Sequence, residues 1–235
     1  VLYLRDPVSR VTAQAAEWRI AVGDAETTAL FEPAAAEPRR ALFVCAHGAG
    51  GHMRDRGMNA LAVELRGRGF DLVRFNFVYR EKGGRAPDPM PRLQACIEAV
   101  VARARGELGS GTLVIGGRSM GGRAASMLAA QGYACDGLLL LAYPLHPAGQ
   151  PTRLRDAHLA DIRVPVCCFN GTRDTLCTRD LMERTLTAVG PHWEMHWLEG
   201  ADHAFHVLKS SGRFDADVLE EIGRASEAWI SRLRA

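Results

Sequence analysis

Hydrophobic positions in this chain change their period from one stretch to the next, and each change marks an element. Trp18 to Val22 and Thr27 to Phe31, parted by the turn signal Gly23-Asp24, predict an antiparallel hairpin at a sheet edge. Ala41 to Ala46 is a continuous apolar run, the pattern of a strand buried on both faces. Met58, Leu61, Ala62 and Leu65 recur at helical spacing, Gly67 to Gly69 stop that helix, and Asp71 to Val78 supplies the next strand. A polar loop over Tyr79 to Pro91 leads into a helix whose apolar face is Leu93, Cys96, Ile97, Val100 and Ala104.

The same rhythm continues to the C-terminus. Leu113 to Ile115 predicts a strand and Arg123 to Ala130 a helix, followed by strands at Leu138 to Tyr143, Val166 to Phe169 and Trp193 to Leu198. Arg179 to Val189 reads as a helix, and Asp217-Val-Leu-Glu220 as a capping box opening the last one. Pro144 to Arg163 is irregular, with three prolines and little periodicity. Such alternation predicts one α/β domain over residues 1–235, with a mostly parallel sheet between helices and its chemistry at the carboxyl ends of the strands.

Composition narrows the classes. The chain has 235 residues, 47% of them hydrophobic, and a net charge of +2, enough for a large buried core. No apolar run approaches the roughly 20 residues that span a bilayer, and Arg5, Asp6 and Pro7 do not fit a secretory h-region, so no membrane association is expected. The chain opens on Val1 without an initiator Met, which leaves room for a removed leader. Six cysteines lie mostly in apolar segments without C-x-x-C spacing, so buried thiols and a reducing cytoplasm are expected, and no zinc site is legible. Of the 29 basic residues, Lys82 and Lys209 are the lysines, leaving 27 arginines. They are interspersed with acidic residues, which argues against a nucleic-acid surface.

Chemistry concentrates at Gly117-Arg118-Ser119-Met120-Gly121, a G-x-S-x-G between a predicted strand and a predicted helix. Glycines on either side of a serine permit a sharp turn that leaves the hydroxyl exposed above the sheet. A helix-capping serine in a glycine-rich turn would read the same way in isolation. A serine nucleophile needs a base, and the base needs an acceptor that fixes its tautomer. After Ser119 the chain offers Asp174, just past a buried strand, and His203, just past the last one. Asp180 competes with the first, and His206, His192 and His196 with the second. The order Ser, Asp, His is the order of an α/β-hydrolase sheet. Oxyanion donors are expected from the backbone N–H of Met120 and from His47-Gly-Ala-Gly-Gly51, with Ala49 the first choice and Gly50 the alternative. That loop lacks the G-x-G-x-x-G or Walker lysine of a nucleotide site.

Taken together, these residues resemble an α/β-hydrolase along nearly the whole chain. More narrowly, the chain resembles the compact KANL/Tex branch of predicted hydrolases, which is close to dienelactone hydrolases. The resemblance rests on His47-Gly-Ala-Gly-Gly51, Arg74-Phe-Asn-Phe77, Gly117-Arg-Ser-Met-Gly-Gly122, Tyr143-Pro-Leu-His-Pro147 with Gly149 and Pro151, and Gly200-Ala-Asp-His203. It implies Ser119, Asp174 and His203 as a triad, and no agreed substrate.

Only about 20 residues, Pro144 to Arg163, stand where many lipases insert a helical lid, so the lid is expected to be short or absent and the site open. Tyr79, Arg80 and His146 are the expected substrate contacts, with Arg54, Lys82 and Arg85 nearby and Phe77, Met120 and Leu145 as apolar walls. The function expected is a serine hydrolase of carboxylesterase or thioesterase type, acting on a small-molecule acyl ester without metal or organic cofactor. The alternatives are an interaction module that keeps the hydrolase fold, as in relatives that serve chromatin complexes, and a small serine peptidase.

Overall fold

A computed structural model describes residues 14–109 and 111–233. Its hairpin pairs β1 (Ala16–Val22) with β2 (Ala25–Glu32), and Gly23 takes φ 59° in the turn, a conformation open to glycine at little cost. Then follow β3 (Ala41–Ala46), α1 (Arg56–Arg66), β4 (Phe70–Phe75), the single turn α2 (Val78–Glu81) and α3 (Met90–Leu108). The second half consists of β5 (Leu113–Arg118), α4 (Met120–Ala130), β6 (Gly137–Leu141), β7 (Val166–Gly171), α5 (Arg179–Val189), β8 (Trp193–Leu198) and α6 (Asp215–Leu233).

The eight strands form one sheet in the order β1-β2-β4-β3-β5-β6-β7-β8, parallel from β4 to β8 with antiparallel pairing at the β1-β2-β4 edge. Every residue of β6 and β7 is buried, which is why those segments read as unbroken apolar runs instead of alternating ones. One face is covered by α3 and α4 through Leu93, Ile97, Val100 and Leu128. The other is covered by α1 and α6 through Met58, Leu61, Leu65, Val218, Ile222 and Trp229. Each large side chain so buried contributes on the order of 1.5–3 kcal/mol.

Among the boundaries that differ from expectation, two have a side-chain cause. The strand expected to run to Val78 ends at Phe75, because the β2 register ends there; the next residue, Asn76, donates its N–H to the Thr28 carbonyl, and its side chain bonds the Met53 amide and Glu81. The chain then turns into α2 within the segment expected to be a loop. At the other end, Asp217 is the receiving partner of a capping box, not its first residue: its Oδ2 accepts the Phe214 N–H at 2.8 Å, so α6 begins at Asp215. Between β6 and β7 the chain forms one 3-10 turn, Leu159–Asp161, and no lid helix.

Candidate active site

Ser119 sits between β5 and α4 at φ 50°, ψ −115°, a region that costs a non-glycine residue about 1–3 kcal/mol. The surroundings impose it. Its N–H donates to the Leu141 carbonyl at 2.8 Å, and a β-carbon at Gly117 would lie 2.1 Å from the Ala46 carbonyl oxygen, so only glycine allows β5 to approach β3 this closely. The serine side chain makes no helix-capping bond. Its hydroxyl instead donates to His203 Nε2 at 2.9 Å.

His203 is presented by a tight loop. Asp202 N–H donates to the His206 carbonyl, Asp202 Oδ1 accepts the N–H groups of Ala204 and His206, and Ala201 bridges to Val207. On its other side His203 Nδ1 lies 2.8 Å from Asp174 Oδ2. An ionised carboxylate only accepts, so the ring proton resides on Nδ1 and Nε2 is left with a lone pair toward Ser119. The Asp174 side chain is wholly buried while that of His203 is 27% exposed, so water reaches the base and not the acid.

Asp174 is held by groups the sequence did not single out. Its Oδ1 accepts the Leu176 N–H at 2.8 Å, and its Oδ2 accepts Asn170 Nδ2–H at 3.0 Å. Asn170, fully buried, also exchanges two bonds with the Tyr143 backbone, joining the ends of β6 and β7. Arg118 donates Nη2–H to the His203 carbonyl at 3.2 Å, fixing the histidine loop from the nucleophile side. Burial holds that guanidinium below its ordinary pKa, opposed by Asp55, Asp202 and Asp174.

Beside Ser119 runs the glycine-rich loop. A β-carbon on Gly48 would lie 3.4 Å from that of Ser119. His47, fully buried, donates Nδ1–H to the Gly48 carbonyl at 2.7 Å and accepts the Phe77 N–H on Nε2; burial pushes its pKa down to about 4, so it is neutral. The Gly48 carbonyl also accepts the Gly51 N–H at 3.0 Å. C=O and N–H of one trans peptide point in opposite directions, so this double clamp fixes the direction of the Ala49 N–H. The Gly50 N–H is committed to the Tyr79 hydroxyl at 3.3 Å, whereas the amides of Ala49 and Met120 have no partner among the described residues.

The remaining candidates lie elsewhere. Asp180 is exposed on α5, His206 pairs with Asp215, and His196 stacks on Phe169. His192 stands before β8. Of the residues expected to touch substrate, Tyr79 is 5% exposed with its hydroxyl accepting the Gly50 N–H, and His146 is 2% exposed. His146 donates Nδ1–H to the Pro147 carbonyl and accepts the Thr178 N–H on Nε2, so both ring nitrogens are used in bracing the chain after β6 to the start of α5. Arg80 is partly exposed and donates to the Gly84 carbonyl. Five cysteines are buried, Cys135 is partly so, and all six are free. Among the described residues no group of three His, Cys, Asp or Glu could hold a metal, and no helix is long and apolar enough to cross a membrane.

A hydroxyl, an imidazole and a buried carboxylate linked in this order can relay a proton away from the serine while two nearby amides receive developing negative charge. The sheet order, the elbow and this constellation define an α/β-hydrolase. The family model described as "Alpha/beta hydrolase domain" matches residues 39–231, and the chain belongs to that family. Among solved structures it is similar to an α/β serine hydrolase without lid from Xanthomonas campestris, at 19% identity and TM-score 0.75, covering 93% of this chain and 96% of that one. A serine hydrolase homologue from Coxiella burnetii aligns at 18% identity and TM-score 0.74 over 89% and 96% of the two chains. A dienelactone hydrolase from Anabaena variabilis aligns at 16% and 0.71 over 93% and 97%.

Proposed function

We propose that this protein is a serine hydrolase that cleaves small carboxylic esters or thioesters through an acyl-enzyme. The observation that carries the reading is the unbroken chain from Ser119 Oγ to His203 Nε2, 2.9 Å, and from His203 Nδ1 to Asp174 Oδ2, 2.8 Å. Ser119 attacks the acyl carbon as His203 takes its proton; His203 then returns the proton to the leaving group, and a water molecule activated by the same ring frees the acid. Asp174 keeps the tautomer and stabilises the transient imidazolium. The amides of Met120 and Ala49 receive the oxyanion. The short connection between β6 and β7 supports a small substrate reached from an open face, and one of the similar structures is by name a dienelactone hydrolase.

The test is a fluorophosphonate probe applied to the folded protein, with the adduct located by peptide mass spectrometry and Ser119→Ala as control. One stoichiometric adduct on Ser119, absent from the variant, is expected, together with hydrolysis of short-chain aryl esters. Folded protein that takes up no probe and cleaves no ester or thioester would overturn the reading in favour of an interaction module.

A further inference from the structure

The segment 74–79, where β4 gives way to α2, holds the glycine-rich loop at both ends and in the middle. At the start of the loop the Phe77 N–H donates to His47 Nε2 at 3.1 Å. At its far end Arg74 Nη1 donates to the Met53 carbonyl at 2.6 Å, and Asn76 Oδ1 accepts the Met53 N–H at 3.0 Å. In the middle the Tyr79 hydroxyl accepts the Gly50 N–H at 3.3 Å.

The middle is where the loop most needs support. Ala49 and Gly50 are exposed, glycines flank Ala49, and Gly50, at φ 69°, has nothing within 4 Å of the β-carbon it lacks, so side-chain packing does little to hold this tip. Hydrogen bonds hold it instead. Two peptides join Ala49 to its neighbours: the oxygen of the first, the Gly48 carbonyl, accepts His47 Nδ1–H at 2.7 Å, and the N–H of the second, that of Gly50, donates to Tyr79. Because each peptide is planar, one contact on each fixes the backbone on both sides of Ala49.

The phenol is itself rigid. Tyr79 donates its N–H to Asp88 Oδ2 at 3.0 Å and accepts the Gly84 N–H on its carbonyl at 2.7 Å. Its ring stacks on Phe77, with centroids 6.4 Å apart, and meets His47 edge-on at 6.0 Å, so the two clamps on Ala49 pack against each other. The loop also rests on the nucleophile turn: a β-carbon on Gly121 would lie 2.6 Å from the His47 carbonyl oxygen, as one on Gly48 would lie 3.4 Å from that of Ser119. We infer that Tyr79 is a positioning residue of the oxyanion hole. By taking the Gly50 amide it commits that donor and sets the Ala49 amide for the reacting carbonyl oxygen before substrate arrives. The role rests on the hydrolase reading, and Tyr79 acts through Gly50 and not on substrate.

Tyr79→Phe, which removes one oxygen, is the test. With 4-nitrophenyl butyrate, kcat should fall about tenfold or more while KM stays within about twofold, since the hole acts on the transition state. Two ketones separate positioning from a merely structural effect. Ser119 Oγ adds to the carbonyl of butyl trifluoromethyl ketone while its proton passes to His203, leaving an oxyanion in the hole, so inhibition by this ketone should weaken by the factor that kcat loses. Butyl methyl ketone, which binds without charge, should inhibit both proteins equally. A folded variant with wild-type kcat, or one that loses affinity for both ketones alike, would overturn the role. Hydrogen exchange read by NMR tests the tie without catalysis: the Gly50 amide should exchange about tenfold faster in the variant, and equal rates would overturn it. Should the variant fail to fold, the wild type decides, because a Gly50 amide exchanging at the rate of an unprotected peptide overturns the tie and a protected one supports it. A wild type that takes no fluorophosphonate and hydrolyses no ester removes the hydrolase and the role with it, whereas an active wild type beside an equally active variant removes Tyr79 alone.

Discussion

Asn170 donates its amide to Asp174 at 3.0 Å, and it does so on Oδ2, the same oxygen that faces His203 Nδ1 at 2.8 Å. The asparagine therefore sets the angle at which the acid meets the base, acting through Asp174 and not on substrate.

Asn170→Ala should lower kcat/KM by about 10- to 100-fold, as loss of a partner that orients a reacting group does elsewhere. It should also cost stability, because the N–H and C=O of Tyr143 lose buried partners, each worth on the order of 1–3 kcal/mol. Ester kinetics and urea denaturation on the same sample check both. An activity equal to wild type in a folded variant would show that Asp174 is positioned by its own turn alone.

Ser119→Gly should separate stability from chemistry. At φ 50° the serine backbone is strained and glycine is not, so the variant should gain about 1 kcal/mol or more while losing turnover by about four orders of magnitude. Thermal melts beside an ester assay would read this out. A variant less stable than wild type would mean that the serine hydroxyl contributes more to the fold than its backbone strain removes.

Gly117→Ala should damage the sheet itself. Its φ of 134° and the 2.1 Å approach to the Ala46 carbonyl oxygen leave no room, and β3 and β5 would have to part. A loss of about 3 kcal/mol or more, or insoluble expression, is expected. Gly132→Ala is the comparison: φ is 87° there but nothing lies within 4 Å of the added carbon, so only the conformational cost of about 1 kcal/mol remains. Equal losses in the two variants would contradict the packing argument.

Acid should weaken the fold through His47. Its pKa is about 4 in the folded protein against an ordinary 6.5, so between these values the unfolded chain holds a proton that the native one refuses. Stability is therefore complete above about 6.5, declines as pH falls, and has lost the whole contribution near 4, on the order of 3 kcal/mol. His158, also pushed down to about 4, acts in the same direction. Urea midpoints measured from pH 7.5 to 4.5 should show a shallower decline in His47→Gln than in wild type; parallel curves would remove His47 from the effect.

Much of this could be read from the chain because parallel strands buried on both faces have to be long apolar runs, as Ala41 to Ala46 and Gly137 to Leu141 are. The elbow was legible because a strained turn between crowded strands tolerates little but glycine. Boundaries were less legible where side chains end an element: Asn76 stops β4 by bonding to three other segments, and nothing local marks it. The surroundings of Tyr79 and His146 were not legible either, because the partners of a polar ring in a loop, here the Gly50 amide and the Thr178 hydroxyl, come from distant segments.

By itself the sequence determined the alternation of strand and helix, the strained serine and the order in which serine, acid and histidine follow one another, since each depends on local period, backbone conformation or position along the chain. The tertiary structure alone decided that Ser119 and His203 lie 2.9 Å apart across 84 residues, and that the Gly50 amide is occupied by the Tyr79 hydroxyl while the Ala49 amide has no partner among the described residues. These are contacts between distant segments, and a contact is set by how the β-sheet edges converge, which no local pattern encodes.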